Sequence, residues 1–136
     1  MTIKQLTVFL ENRTGRINEV AKILGAAGIN MKAFSMAETA DFGLLRLVVS
    51  EVDKAVQVLR DASFAVRLTD VVCINAANVP GALSTILESL AANDIFIEYM
   101  YAFSEGESAN IVIRTNDLDK CIRILSECQC TLIDEV

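Results

Sequence analysis

Asn12-Arg13-Thr14-Gly15-Arg16-Ile17 lies over Asn78-Val79-Pro80-Gly81-Ala82-Leu83 at an offset of 66 residues (81 − 15), and that offset holds without a gap to the end of the chain. Ala27-Gly28-Ile29-Asn30-Met31 falls on Asn93-Asp94-Ile95-Phe96-Ile97, and Val52-Asp53-Lys54-Ala55 on Leu118-Asp119-Lys120-Cys121. An offset that is constant through loops and core positions alike means two copies of one small domain, residues 1–69 and 70–136. The best-kept stretch is a loop, and loops carry binding more often than cores do.

Each copy reads as βαββαβ. Leu6, Val8 and Leu10 line one side of an opening strand at period two, and Val71–Asn75 keeps the phase in the second copy. Ile17, Val20, Ala21, Leu24 and Ala27 then recur at helical spacing, as do Leu83, Ile86, Leu87 and Leu90. Pro80 suits a helix entrance, and Gly28 suits a left-handed helix exit, with Asp94 in its place in the second copy. Strands are expected at 29–36 and 44–49, with their equivalents at 95–103 and 110–115, turned at Thr39-Ala40-Asp41 and Glu105-Gly106-Glu107. Ser50 and Asn116 are expected to cap the second helices. Short strands at 65–68 and 131–133 close the copies. The fold class is therefore α+β, two ferredoxin-like units with helices on one face of an antiparallel sheet.

The opposite sheet face carries Thr7, Phe9, Leu44, Arg46 and Val48 in one copy, and Cys73, Asn75, Asn110, Val112 and Arg114 in the other. This mixture fits either burial against a second chain or simple exposure. A unit of this size is marginal alone, so the two copies are expected to associate, with each other and in a homodimer.

Composition excludes several functions. The 136 residues include no histidine, which removes the commonest general base and metal ligand together. With 12 basic against 18 acidic residues and no basic run, neither nucleic acid nor an anionic membrane is an expected partner. Hydrophobic residues reach 53%, yet no apolar run approaches the roughly 18 residues of a membrane helix, and the start lacks a signal peptide's pattern. Cys73, Cys121, Cys128 and Cys130 suggest no disulfide framework, so a cytoplasmic location is expected. Cys128-Gln129-Cys130 lacks further ligands and reads as small core residues on one strand face rather than a metal site. Asp41, Glu105, Glu107 and Asp117 read as solvated loop carboxylates. No catalytic residue, cofactor or metal is expected.

Both copies retain Asn, then Gly three residues on, then an aliphatic residue two beyond. Glycine admits close approach of a ligand to the backbone. The free N–H groups at the start of the helix favour a carboxylate, and an asparagine side chain offers a donor and an acceptor. The plainer reading is that Asn12 and Asn78 cap the helices and Gly15 and Gly81 make the turns.

Glu11-Asn12-Arg13-Thr14-Gly15, a helix, then Gly28-Ile29-Asn30-Met31 resembles an ACT domain, a small-molecule sensing module of amino-acid metabolism; Asn78–Leu83 with Asn93-Asp94-Ile95 repeats it. The first copy resembles most the serine-sensing ACT domains of phosphoglycerate dehydrogenase. The resemblance implies two units side by side in one eight-stranded sheet and an amino acid bound at a seam between ACT units. It implies ligand contacts from Asn12, Arg13, Thr14, Gly15, Arg16 and Ile17, helped by Asn30 and Met31. It also implies a possible second site at Asn78, Val79, Pro80, Gly81, Ala82 and Leu83. Phe96 stands where Asn30 stands in the first copy, so the two sites are not equivalent. The function expected is non-catalytic regulation of a separate amino-acid-metabolism enzyme; the alternative is a ligand-free assembly module using the open sheet face.

Overall fold

The computed structural model describes residues 1–39 and 41–136, with Glu105 described by its backbone alone. Ala40, at the first expected hairpin tip, and the Glu105 carboxylate lie outside the described residues. Contacts divide the chain between Thr69 and Asp70: Lys4–Thr69 with Val136 form one unit, Asp70–Glu135 with Met1–Ile3 the other.

In the first unit, β1 (Ile3–Glu11) leads through the Asn12 loop to α1 (Arg16–Ala26). Strands β2 (Met31–Glu38) and β3 (Phe42–Val49) form a hairpin, followed by α2 (Val52–Asp61) and β4 (Ala65–Ala77). The strand order is β2-β3-β1-β4, with β2 outermost. The antiparallel register pairs Phe9 with Leu44 and Glu11 with Phe42, and across the hairpin Met36 with Leu45 and Glu38 with Gly43. The alternation of β1 then puts Leu6, Val8 and Leu10 into one core with Val20 and Leu24 of α1, Leu45 and Leu47 of β3, and Ala55 and Leu59 of α2.

The second unit repeats this with α3 (Ala82–Ala92), β5 (Ile97–Glu105), β6 (Ser108–Thr115), α4 (Leu118–Glu127) and β7 (Thr131–Leu132). Strand β4 pairs antiparallel with both β6 and β7. Val72, Ile74, Leu90, Ile111, Ile113, Cys121, Ile124 and Leu125 make its core. The architecture is α+β, two ferredoxin-like units.

Four local expectations change. The closing strand of the first copy and the opening strand of the second are one strand, β4, so the described residues contain seven strands rather than eight. Ala65–Ala77 has no glycine or proline to stop it and is rich in β-branched residues, and Arg114 Nη1 donates to the Asp70 carbonyl at 2.8 Å. Ser50 and Asn116 are not caps. Ser50 Oγ accepts from the Asn30 N–H at 2.9 Å and Asn116 Oδ1 from the Phe96 N–H at 3.2 Å. Their own N–H groups return bonds to the Asn30 and Phe96 carbonyls at 3.0 and 3.3 Å, so each forms a reciprocal latch at the start of a hairpin. The caps are Glu51, without a side-chain bond, and Asp117, which accepts from the Lys120 N–H at 3.1 Å. Asp117 is thus a structural residue rather than a free loop carboxylate.

Cysteines 128 and 130 lie in the turn after α4, with Gln129 between them in the left-handed region at φ 59°, and not on a strand. Cys128 is exposed and Cys130 half-buried, whereas Cys73 and Cys121 are core residues. Burial pushes the Cys121 thiol up, and the nearby Asp117 carboxylate adds to it; burial, then Cys128, pushes Cys130 up. Finally, the face opposite the helices is mixed: Gln5, Thr7, Val48, Cys73, Asn110 and Val112 are buried, and Phe9, Leu44, Arg46, Asn75 and Arg114 half-buried. No described helix is long and apolar enough to cross a membrane.

Candidate functional site

Gly15 decides the shape of the first loop. At φ 93° it is in the left-handed region, serves as N-cap of α1, and contributes no side-chain bond. The first turn of α1 therefore has no side-chain cap. Asn12 is not the cap. Its Nδ2 donates to the Thr39 carbonyl at 3.2 Å and ties the loop to the far end of β2.

Between loop and strand lies a groove of about 350 Å³ lined by Asn12, Arg13, Thr14, Arg16 and Ile17, together with Leu10, Glu11, Met36 and Glu38. Ile17, counted in the apolar stripe from its spacing, is 44% exposed here and belongs to the groove; Val20 and Leu24 alone are the buried residues of α1. Arg13 Nε pairs with Glu11 Oε2 at 3.2 Å. Arg16 Nη1 pairs with Glu19 Oε2 at 2.6 Å and Nη2 lies 3.9 Å from Glu11 Oε1. The Arg16 side chain is only 14% exposed, because its guanidinium lies 4.3 Å over the Phe64 ring. Its Nε is buried without a hydrogen-bond partner. Arg16 also borders a second groove of about 350 Å³ that includes Phe9, Asp41, Phe42 and Phe64. Thus both signs of charge meet beside Ile17 and Met36, next to a helix start without a side-chain cap.

Asn30 and Met31 are elsewhere. Asn30 is exposed ahead of β2, and Met31 packs against the core. Groove residue Glu38 is at the other end of that eight-residue strand, roughly 23 Å away at 3.3 Å per residue. Asn30 therefore cannot share a ligand with Asn12 of the same unit.

The second loop keeps the backbone and loses the chemistry. Gly81 caps α3 at φ 88°, again without a side-chain bond, and the Asn78 N–H donates to the Glu107 carbonyl at 3.3 Å. Val79, Leu83 and Phe96 are exposed, Phe96 by 67%. At the 66-residue offset Glu11, Arg13, Arg16 and Glu38 become Ala77, Val79, Ala82 and Ser104. Every charged position of the groove is neutral there, alongside Pro80 and Ala82 in the loop itself.

Leu10, Glu11, Met36 and Glu38 were not assigned from sequence. Glu11 adjoins the motif, but the other three reach the groove only through strand register.

The family model described as an ACT domain pair matches residues 1–136. This chain belongs to the ACT domain pair family. Such ACT domains are regulatory, non-catalytic modules. This ACT domain pair is similar to the solved structure of protein BT0572 from Bacteroides thetaiotaomicron, at 50% identity and TM-score 0.93, over 98% of this chain and 92% of that one. It also shares its fold with the regulatory subunit of aspartate kinase from Thermus thermophilus, at 12% identity and TM-score 0.64 over 91% and 90% of the chains. A regulatory domain of aspartate kinase from Porphyromonas gingivalis shares it at 14% identity, TM-score 0.55 and 93% of both chains. A comparison with curated proteins gave no match.

Proposed function

We propose that this ACT domain pair is a non-catalytic regulator that binds one free amino acid in the Asn12–Ile17 groove and signals to a separate enzyme of amino-acid metabolism. The observation that supports this reading is the groove itself: an uncapped helix start beside Glu11, Arg13, Arg16 and Glu38. The α1 N–H groups and Arg13 receive the carboxylate, and Glu11 and Glu38 the ammonium. Asn12 holds the loop against β2 and adds its carbonyl oxygen. The loop Asn78–Leu83, lacking all four charges, keeps the fold without the site.

The open side of the groove is left for another ACT unit, whose Asn30 then completes the ligand shell. A second copy supplies that unit in a homodimer built along β2, an outermost strand carrying Phe34, 65% exposed, and exposed Met36. A ligand touching two copies favours the paired state by its differential affinity, which is the signal a partner enzyme reads. The chain acts in the cytoplasm.

Isothermal titration against the twenty amino acids tests this. At least one is expected to bind below millimolar and, at about one hundred times its Kd, to stabilise the fold by roughly 2.7 kcal/mol. If none binds and none moves Tm, the reading fails. The alternative, an assembly module on the open sheet face, predicts binding of none of the twenty.

A further inference from the structure

Of the groove's lining, one side chain has no room to spare. A Cβ built on Gly43 would overlap the terminal methyl of Met36 and stand 3.7 Å from Asn12 Oδ1. Glu38 faces Gly43 and Met36 faces Leu45, so Met36 and Gly43 are diagonal neighbours on one face of the hairpin. Met36 lies across β3 because position 43 has no side chain. It then lines the groove together with Arg16 and Ile17.

The second unit supplies an internal comparison. At the same offset Met36 becomes Ala102 and Gly43 becomes Ala109. Where the strand carries a Cβ, the long side chain is absent. The two positions differ together, and they do so in the copy that has also lost the groove's charges.

We infer that Met36, seated over Gly43, is the specificity-determining wall of this groove, and that the groove takes an α-amino acid with an uncharged aliphatic or thioether side chain. This rests on the amino-acid reading above. The charged lining is shared between ammonium and carboxylate, groups that every amino acid has. What remains for the side chain is Ile17 and Met36, both exposed, over the buried Leu10. A cationic or anionic side chain would meet those apolar walls with its charge unpaired. At about 350 Å³ the groove has room for a free amino acid. The thioether of Met36 is flexible enough to close on side chains of slightly different shape.

The test is titration of the full chain with glycine, alanine, leucine, methionine, phenylalanine and lysine, for wild type, Met36→Ala and Gly43→Ala. Wild type is expected to prefer leucine or methionine over both lysine and glycine by about tenfold or more. Gly43→Ala pushes Met36 into the groove, so affinity for leucine and methionine falls by about tenfold while alanine changes by less than about threefold. Met36→Ala widens the groove and moves the preference toward phenylalanine. Because Met36 is exposed, that variant keeps the test decisive if Gly43→Ala lowers Tm. The double variant, which reproduces the Ala102–Ala109 pair, removes the overlap and keeps the preference order of Met36→Ala. If wild type binds amino acids but takes lysine as well as leucine, or if both single variants leave the order unchanged, this inference falls and the amino-acid site stands. If wild type binds none of the twenty, the site falls and this inference with it.

Discussion

Gly15 and Gly81 have the same backbone and different duties. Both cap their helices at φ near +90°, and nothing stands within 4 Å of a Cβ added at either. Replacing either by alanine therefore costs backbone strain alone, about 1–2 kcal/mol. Urea denaturation is expected to show this loss in both variants. Amino-acid affinity separates them: Gly15→Ala distorts the start of α1 and weakens binding, whereas Gly81→Ala leaves it unchanged. Equal loss of binding in the two would place ligand in both loops. The loop itself is legible in the sequence because glycine three residues after asparagine recurs at a fixed offset. The position of Ile17 is not. Spacing assigns it to the α1 stripe, but it is in the first turn, where the helix has not yet reached the core, and its side chain borders the groove instead. Met36 and Gly43 are seven residues apart with no local pattern to join them; only the β2–β3 register does that.

At the level of elements, the residues expected to start helices hold strands. The cap rule selects Ser50 and Asn116 from a local window, and the bonds they make are to residues 20 positions away in sequence. Such pairing has no signature in periodicity. Ser50→Ala and Asn116→Ala are each expected to cost about 1 kcal/mol and to leave helix content intact. Amide exchange reads the difference: the Asn30 amide exchanges faster in the first variant and the Phe96 amide in the second. Asp117→Ala, by contrast, removes the real cap of α4 and costs about 1 kcal/mol, with faster exchange at the Lys120 amide. Cys121 ties α4 to pH. Its folded pKa is raised above 9.0, so its contribution is complete below the unfolded pKa and is lost as pH rises through the folded one. Cys121→Ala is expected to flatten that part of the alkaline stability profile.

For the molecule as a whole, the 66-residue offset predicts two units with the same elements, and the two units show them. Breaks are harder to read than repeats: 65–68 and 71–75 look like separate strands because the copies are compared end to end, yet nothing between them interrupts an extended chain. The binding chemistry is not duplicated with the fold. Four charged groove positions of the first unit are neutral in the second, so titration is expected to give one amino acid per chain. A stoichiometry of two would overturn that asymmetry. The overlap at Gly43 also makes the two routes between these forms unequal. A chain drifting from the methionine–glycine pair to the alanine–alanine pair can shed the methionine first and add the methyl group afterwards, without ever placing two groups in one space. In the opposite order the intermediate turns the flexible end of Met36 aside, into the groove. The effects of the two substitutions on the groove are therefore non-additive, the alanine at position 43 narrowing it only while Met36 is present.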